Sequence, residues 1–368
     1  MVARTQGLVL RTGAPARPCV LMFGDGGVNC ERIDAQHRER GRQVHEVVYE
    51  DDGTFHTLKV PTTPEDPAIG VIEGMRHLGK SGNFNAEGLD VVLHATTVAT
   101  NAIIERKGGR TALITTDGFR DVLIIGRQKR YETYDLYIKP PKPLVQRRDI
   151  FEVVERVAFD GETVIALNMD SLDTVIDRIA EANYDAVAVA LLHAYAAPDH
   201  ERQIRDRLYQ RLPDIDVSIS SEVSPKYREY ERTSTAVIDA YIGPAVARYL
   251  ARFGARTADV GIPVTPLIMQ SNGGVVPLST ARRRAANMFV SGPAAAVTAA
   301  AEVAKLEGVQ DVISIDIGGT SCDVCLITGG QPQTTVKGTS EFSVDGLPLN
   351  VVMTDNVTIG AGCGSIAR

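Results

Sequence analysis

Ile313-Ser314-Ile315-Asp316-Ile317-Gly318-Gly319-Thr320-Ser321-Cys322-Asp323-Val324 has the form of a buried strand, a glycine turn and a second strand. The residues before Asp316 alternate isoleucine with Ser314, as a core strand can. Gly318 and Gly319 permit a tight turn and leave amides that can line a phosphate. Thr320 and Ser321 add hydroxyl donors. Asp316, at the strand end, can hold a hydrated Mg2+ that offsets phosphate charge. The alternative is an ordinary Gly-Gly hairpin with a solvated aspartate.

Two neighbouring words weigh against that alternative. Ser291-Gly292-Pro293 precedes an Ala-rich helix running to about Leu306. Ser291 or Gly292 suits the N-cap and Pro293 the first turn. Free amides and the helix dipole make such an end attractive to an anion, although simple capping also explains the residues. Thr358-Ile359-Gly360-Ala361-Gly362-Cys363-Gly364-Ser365 follows. Its alternating Gly360, Gly362 and Gly364 allow either close backbone approach to a ligand or a flexible turn.

The Asp316 hairpin resembles a phosphate loop of the actin/hexokinase/Hsp70 ATPase superfamily. A longer set of words resembles the hydantoinase A/5-oxoprolinase family. They are Thr57-Leu58-Lys59-Val60-Pro61-Thr62-Thr63-Pro64-Glu65-Asp66-Pro67, His94-Ala95-Thr96-Thr97-Val98-Ala99-Thr100-Asn101-Ala102 and Gly118-Phe119-Arg120-Asp121. Leu191-Leu192-His193-Ala194-Tyr195, Tyr227-Arg228-Glu229-Tyr230-Glu231-Arg232-Thr233-Ser234-Thr235 and Ile268-Met269-Gln270-Ser271-Asn272-Gly273-Gly274 continue the series. The resemblance runs from about Tyr49 to the last residue.

That resemblance implies a layered α/β, actin-like (ribonuclease H-like) ATPase fold, here incomplete. It implies ATP and Mg2+ as cofactors and a small cyclic amide, such as a hydantoin or 5-oxoproline, as substrate. A ring amide is a poor electrophile, and transfer of the γ-phosphoryl group to its oxygen activates it toward water. The protein then chiefly positions phosphates and offsets their charge. By this carry-over Asp316 is the catalytic residue and holds Mg2+ through water. Gly318, Gly319, Thr320, Ser321, Ser291, Gly292, Gly360, Gly362 and Gly364 bind nucleotide phosphates. A hydantoinase B-type polypeptide is the expected partner. An acetone-carboxylase-type subunit and a non-catalytic homologue are the alternatives.

Bulk composition fits this. The chain of 368 residues is 44% hydrophobic and 23% charged, with net charge -7. That balance argues against a general nucleic-acid or anionic-membrane binder, and no apolar run reaches membrane-spanning length. Five scattered cysteines form no disulfide framework, which suits a cytoplasmic protein. Cys322 and Cys325 are spaced C-x-x-C, but the second half of a four-ligand zinc site is missing.

The two ends depart from the family pattern. Near the N-terminus stands Phe23-Gly24-Asp25-Gly26-Gly27-Val28-Asn29-Cys30-Glu31. Gly24 occupies the place of the strand-end Asp, and Val28 that of the hydroxyl residue. The first 48 residues carry seven Arg and no Lys. They are either non-homologous sequence or a targeting segment, and are expected to pack poorly. The C-terminus stops on the glycine-rich turn, so the chain is expected to be truncated. The expected division is 1–48 aberrant, 49–200 hydantoinase/oxoprolinase N-terminal region and 201–368 catalytic region.

Elsewhere strands and helices alternate. Helices are expected at 68–78, 98–106, 171–183 and 233–253, the last kinked or broken at Pro244. Strands are expected at 91–93, 111–115, 122–125, 186–192 and 266–269. Thr96, Thr97, Thr100 and Asn101 cluster at a strand-to-helix junction, where they either cap the helix or face the substrate. Arg127 and Arg130 either grip a substrate carboxylate bidentately or form a solvated basic turn. His193 reads as a satisfied core histidine.

Overall fold

A computed structural model describes residues 19–24, 44–51, 54–61, 63, 66–80, 86–128, 134, 137, 141–317, 322–335, 343–344 and 346–359. The first strands, β1 (Cys19–Gly24), β2 (Val44–Asp51) and β3 (Thr54–Pro61), form an antiparallel meander. Helix α1 (Pro67–Lys80) follows. The Thr57–Pro67 word is in part a helix start: the Asp66 carboxylate accepts from Ala68 N, and Thr63 Oγ1 accepts from Gly70 N. Asp66 also takes a 2.7 Å bond from Arg256 far along the chain. Strand β4 (Val91–Ala95) lies parallel to β1, and α2 (Val98–Ile104) crosses back over the sheet. Residues 19–24 are thus a strand bonded on both sides, not the poorly packed chain that their composition suggested.

After α2 the chain passes through Gly108. A Cβ there would lie 2.2 Å from the Tyr241 ring and 2.5 Å from the Tyr241 carbonyl. Only glycine permits that approach. A second α/β unit begins here with β5 (Thr111–Thr116). Val122–Ile125, expected as a strand, is the short helix α3. A four-residue apolar run carries no periodicity of its own, and Ile124 and Ile125 are exposed. Then come β6 (Ile150–Val153), the hairpin β7 (Arg156–Val157) and β8 (Thr163–Ile165), and α4 (Met169–Glu181), capped by Asn168 accepting from Ser171 N. Strand β9 (Ala186–Ala190), α5 (Asp199–Arg211), β10 (Asp216–Ile219) and α6 (Ser220–Val223) complete the unit. Its four strands are all parallel, in the order β10-β9-β5-β6.

Strand β9 shows how the sequence builds this sheet. All five residues are buried. Val187 and Val189 join the α4–α5 layer, whereas Ala186, Ala188 and Ala190 face Ala236, Val237 and Ala240. Those belong to α7 (Glu229–Asp259), 31 residues long, which keeps its course through Pro244. The small alanines let that helix lie close. Pro244 removes one helical donor, and one residue after the freed carbonyl, Tyr241 O accepts from Gly109 N at 2.8 Å. Helix α7 also supplies Ile238, Ile242, Tyr249 and Phe253 to the core under the first sheet, so one helix seals both sheets.

Strands β11 (Leu267–Met269) and β12 (Val275–Pro277) return to the first sheet, followed by α8 (Leu278–Arg283). The completed order is β12-β11-β4-β1-β2-β3, with β1, β4 and β11 mutually parallel. Their carboxyl ends, Gly24, Ala95 and Met269, therefore open on one edge. Helix α9 (Ser291–Leu306) touches that sheet through Ala295 and Ala299. Through Val297 and Ala301 it touches a third sheet. That sheet holds β13 (Val312–Ile317), β14 (Cys322–Thr328) and β15 (Gln331–Pro332). Beyond the small hairpin β16 (Ser343–Val344) and β17 (Leu347–Pro348), β18 (Asn356–Ile359) pairs with β14. The Asp316 hairpin and its adjacent helix lie as the sequence predicts, but β13 is not the buried strand expected: Ile313 and Ile315 are exposed, because α9 covers the opposite face of the ladder, that of Cys325 and Ile327.

Candidate functional site

The β4–α2 junction and the start of α9 are joined directly. Ser291, fully buried, donates from Oγ to Thr96 O at 3.0 Å, and Thr96 N donates back to Ser291 Oγ at 3.3 Å. Thr100 Oγ1 accepts from Val290 N at 3.2 Å. Two words almost two hundred residues apart thus meet at the carboxyl edge of the first sheet, where parallel α/β sheets place ligands. Ser291 is not the N-cap that the sequence suggested. Val290 holds that position in a left-handed conformation (φ 48°), with Ser291 and Gly292 already inside the helix. Thr96 Oγ1 accepts from Val98 N, while Thr97 Oγ1 accepts from Asn101 Nδ2 at 3.2 Å. Capping here belongs to Thr96; Thr97 makes no side-chain cap to α2.

Asp316 stands on β13 directly opposite Asp323 on β14, and Asp323 opposite Thr358 on β18. Thr358 Oγ1 donates to Asp323 Oδ1. Burial pushes the Asp316 carboxyl above the usual carboxylate range, the Asp323 charge adds to the rise, and Lys59 pulls it partly back. Two facing carboxylates on one side of a hairpin are unfavourable unless a cation or proton stands between them. That donor set fits a divalent ion held through water. Sequence reasoning passed over Asp323, although its seven-residue spacing from Asp316 is what an antiparallel hairpin brings face to face.

Gly318, Gly319, Thr320 and Ser321 lie outside the described residues, as do Gly360, Gly362, Gly364, Arg130 and the Gly26-Gly27 turn. Arg127 is described, and its fork is filled. Nε and Nη2 donate to the two oxygens of Glu231 at 2.9 and 2.6 Å. Hydrogen bonding to Glu231 holds the guanidinium pKa above its ordinary value. The bidentate geometry was foreseen, but the carboxylate is the protein's own. His193 is tied through Nδ1 to Val157 O at 2.9 Å. Cys322 and Cys325 are free thiols. Among the described residues no group of three or more His, Cys, Asp or Glu could hold a metal ion, and no helix is long and apolar enough to cross a membrane.

The parallel sheet of the second unit has its own polar edge. Buried Glu155 accepts from Thr116 Oγ1 and faces His200 Nδ1 at 2.8 Å. Buried Glu201 accepts from Leu191 N, Ser220 Oγ and Ser221 N. Arg232, also buried, donates to Leu191 O, Lys226 O and Ser220 Oγ. The Leu191–Tyr195 and Tyr227–Thr235 words therefore meet in a satisfied network that fastens α7 to β9.

The chain is similar to known proteins over most of its length. The family model for the hydantoinase/oxoprolinase N-terminal region matches residues 43–212, and the hydantoinase/oxoprolinase model matches 232–368. Caprolactamase subunit alpha of Pseudomonas jessenii is 35% identical over 328 residues, which are 88% of this chain and 47% of that protein. 5-Oxoprolinase 1 of Arabidopsis thaliana is 31% identical over 84% of this chain and 26% of its own length. The crystal structure of ATP-dependent caprolactamase from P. jessenii superposes with TM-score 0.80 at 30% identity, covering 95% of this chain and 49% of that one. Nucleotide-free acetone carboxylase superposes with TM-score 0.76 at 25% identity, over 94% and 48%. The chain thus spans about half the length, or less, of the relatives it matches. By these matches along most of its length, the chain belongs to the hydantoinase/oxoprolinase family.

Proposed function

We propose that this chain is the ATP-using part of an enzyme that opens a cyclic amide by phosphoryl activation of the amide oxygen. The observation that carries the reading is the facing pair Asp316–Asp323, at the end of the hairpin that leads into Gly318-Gly319-Thr320. The mixed first sheet, an antiparallel meander joined to parallel strands, supports an actin-like, ribonuclease H-like lobe.

In this reading Asp316, with Asp323 across the ladder, holds hydrated Mg2+, which supplies charge neutralisation for the phosphates. Glycine-turn amides and the Thr320 and Ser321 hydroxyls orient the γ-phosphoryl group toward the amide oxygen. Transfer forms the new P–O bond at the amide oxygen and breaks the β,γ-bridge of ATP. Water then adds to the activated carbon, the C–N bond breaks, and phosphate leaves. The Ser291–Thr96 clasp fixes the edge at which the ring sits. Its own hydroxyl is already engaged, so Ser291 is a positioning residue.

Greater identity to caprolactamase than to the superposed carboxylase favours amide opening over ketone carboxylation. The relatives' names include subunits, which supports a second polypeptide of hydantoinase B type as partner. A cytoplasmic location fits the same reading. The test is ATP hydrolysis by the chain, alone and with such a partner, in the presence of a lactam, 5-oxoproline or acetone. Phosphate release stimulated only by acetone and bicarbonate would replace this reading with the carboxylase one.

A further inference from the structure

Three described segments at the carboxyl edge of the first sheet carry no charge. Residues 94–104, 268–275 and 285–295 contain no Asp, Glu, Lys or Arg, in a chain that is 23% charged. They are the end of β4 with α2, the β11–β12 turn, and the approach to α9 with its first turn, which meet beside the end of β1. The single titratable group among them, His94, is buried beneath the edge. Its Nε2 lies 2.7 Å from Tyr249 Oη, and its ring stacks on Phe253.

Two carboxamides at this edge are unspent. Gln270 follows Met269 directly, and the parallel register Leu267↔Leu93, Ile268↔His94 sets it level with Thr96. It is half-buried, and its side-chain amide makes no hydrogen bond among the described residues. Asn287 lies against the same turn, its backbone carbonyl accepting from Ser271 N and Ser271 Oγ, both at 2.6 Å. Its half-buried side-chain amide likewise makes no hydrogen bond among the described residues. The backbone around Gln270 is by contrast well fixed. Gln270 N donates to Gly274 O at 2.7 Å, and Gly273 N to Gln270 O at 3.0 Å. A rigid turn thus presents an amide with an open donor and an open acceptor.

We propose that Gln270 recognises the substrate ring by pairing with its amide edge, Asn287 being the second polar contact, and that the ring is an uncharged lactam or hydantoin. The proposal rests on the cyclic-amide reading above. A small ring forces its amide into the cis form, so N–H and C=O point the same way. A carboxamide carries the matching acceptor and donor and makes both bonds at once. A ketone offers no N–H. A ring bearing a carboxylate finds no cation in these three described segments, and burying that charge unpaired is costly. The nearest candidate for a carboxylate grip from the sequence, Arg127, is already paired with Glu231.

The test is titration calorimetry of the 368-residue chain and its Gln270→Leu variant. Ligands are δ-valerolactam, N-methyl-δ-valerolactam and 5-oxoproline at pH near 7, with thermal melts confirming that both proteins are folded. The parent should bind δ-valerolactam more tightly than the N-methyl compound by about tenfold or more, since methylation leaves the Gln270 oxygen unpaired. Gln270→Leu should lose about tenfold for δ-valerolactam and abolish the discrimination, and 5-oxoproline should bind no more tightly than the neutral ring. Retention of both affinity and discrimination by Gln270→Leu, or tighter binding of 5-oxoproline, overturns the proposal and leaves the cyclic-amide reading standing. No binding of any lactam by the folded parent chain overturns both.

Discussion

At the scale of single residues, two carboxylates behave differently although burial raises both. Asp316 is half-buried at the end of a strand with Asp323 opposite. Asn there removes a like-charge repulsion as well as the ligand proposed for Mg2+. Asp316→Asn should therefore lower ATP turnover by roughly a hundredfold or more while leaving the melting temperature unchanged or higher. Equal turnover would remove the metal role. Asp239 is fully enclosed within α7, accepting from Ser218 Oγ and Ala286 N, each at 2.7 Å. Burial pushes its carboxyl up from 3.8 to about 6. The folded state thus prefers the protonated acid, so this stabilisation is full below pH 3.8 and is lost as pH rises through about 6. The span corresponds to on the order of 3 kcal/mol. Denaturant titrations of Asp239→Asn and the parent across that window should show the parent losing stability relative to the variant as pH rises. Parallel profiles would refute the assignment.

At the scale of elements, the long helix α7 and its contact glycines carry the fold. Gly108→Ala should force the loop from the Tyr241 ring and carbonyl and cost about 1–3 kcal/mol or more in a denaturation midpoint experiment, because backbone cannot yield as a side chain can. The clasp between β4 and α9 gives a second test. Ser291→Ala removes the donor to Thr96 O and the acceptor for Thr96 N, both buried. A loss of about 1–3 kcal/mol is expected, with Ser291→Thr retaining part of it. The sequence showed that these words mattered, but not that they touch. Ser291 looked like a cap because Ser-Gly-Pro before an alanine run is a capping signature; the buried backbone of Thr96 claimed its hydroxyl instead. Val122–Ile125 misled for the opposite reason, since so short an apolar run has no period to distinguish strand from helix.

At the scale of the molecule, the third sheet has one face covered by α9 and one left uncovered among the described residues. Cys325 and Ile327 pack on α9, while Ile313, Ile315, Leu326, Val357 and Ile359 are about half exposed or more. Registers Ile313↔Leu326, Ile315↔Val324 and Val324↔Val357 make these a continuous apolar patch. Such a patch promotes association. Sedimentation velocity should find the 368-residue chain self-associating with concentration, and Ile315→Lys should reduce this without unfolding the sheet. A monomeric parent at all concentrations would contradict the expectation.

What the sequence determined by itself was periodicity and local chemistry. The Asp316 hairpin, the helix after Ser291, the buried β9 and the long course of α7 all follow from spacing of apolar residues over a few turns or pleats, which act within a short stretch of chain. The ordered words that marked the family are equally local. Only the tertiary structure decided which words meet. Thr96 found Ser291, Arg127 found Glu231, and Asp316 faced Asp323, because sheet register and helix packing fix distances between residues far apart in the chain. Pro244 stayed helical because the buried length of α7, packed on both sheets, outweighs one missing bond. The strand at 19–24 formed within the first sheet because Cys19-Val20-Leu21-Met22-Phe23 is a continuous apolar run, which has no period to read but suits a strand with a parallel neighbour on one side and an antiparallel one on the other.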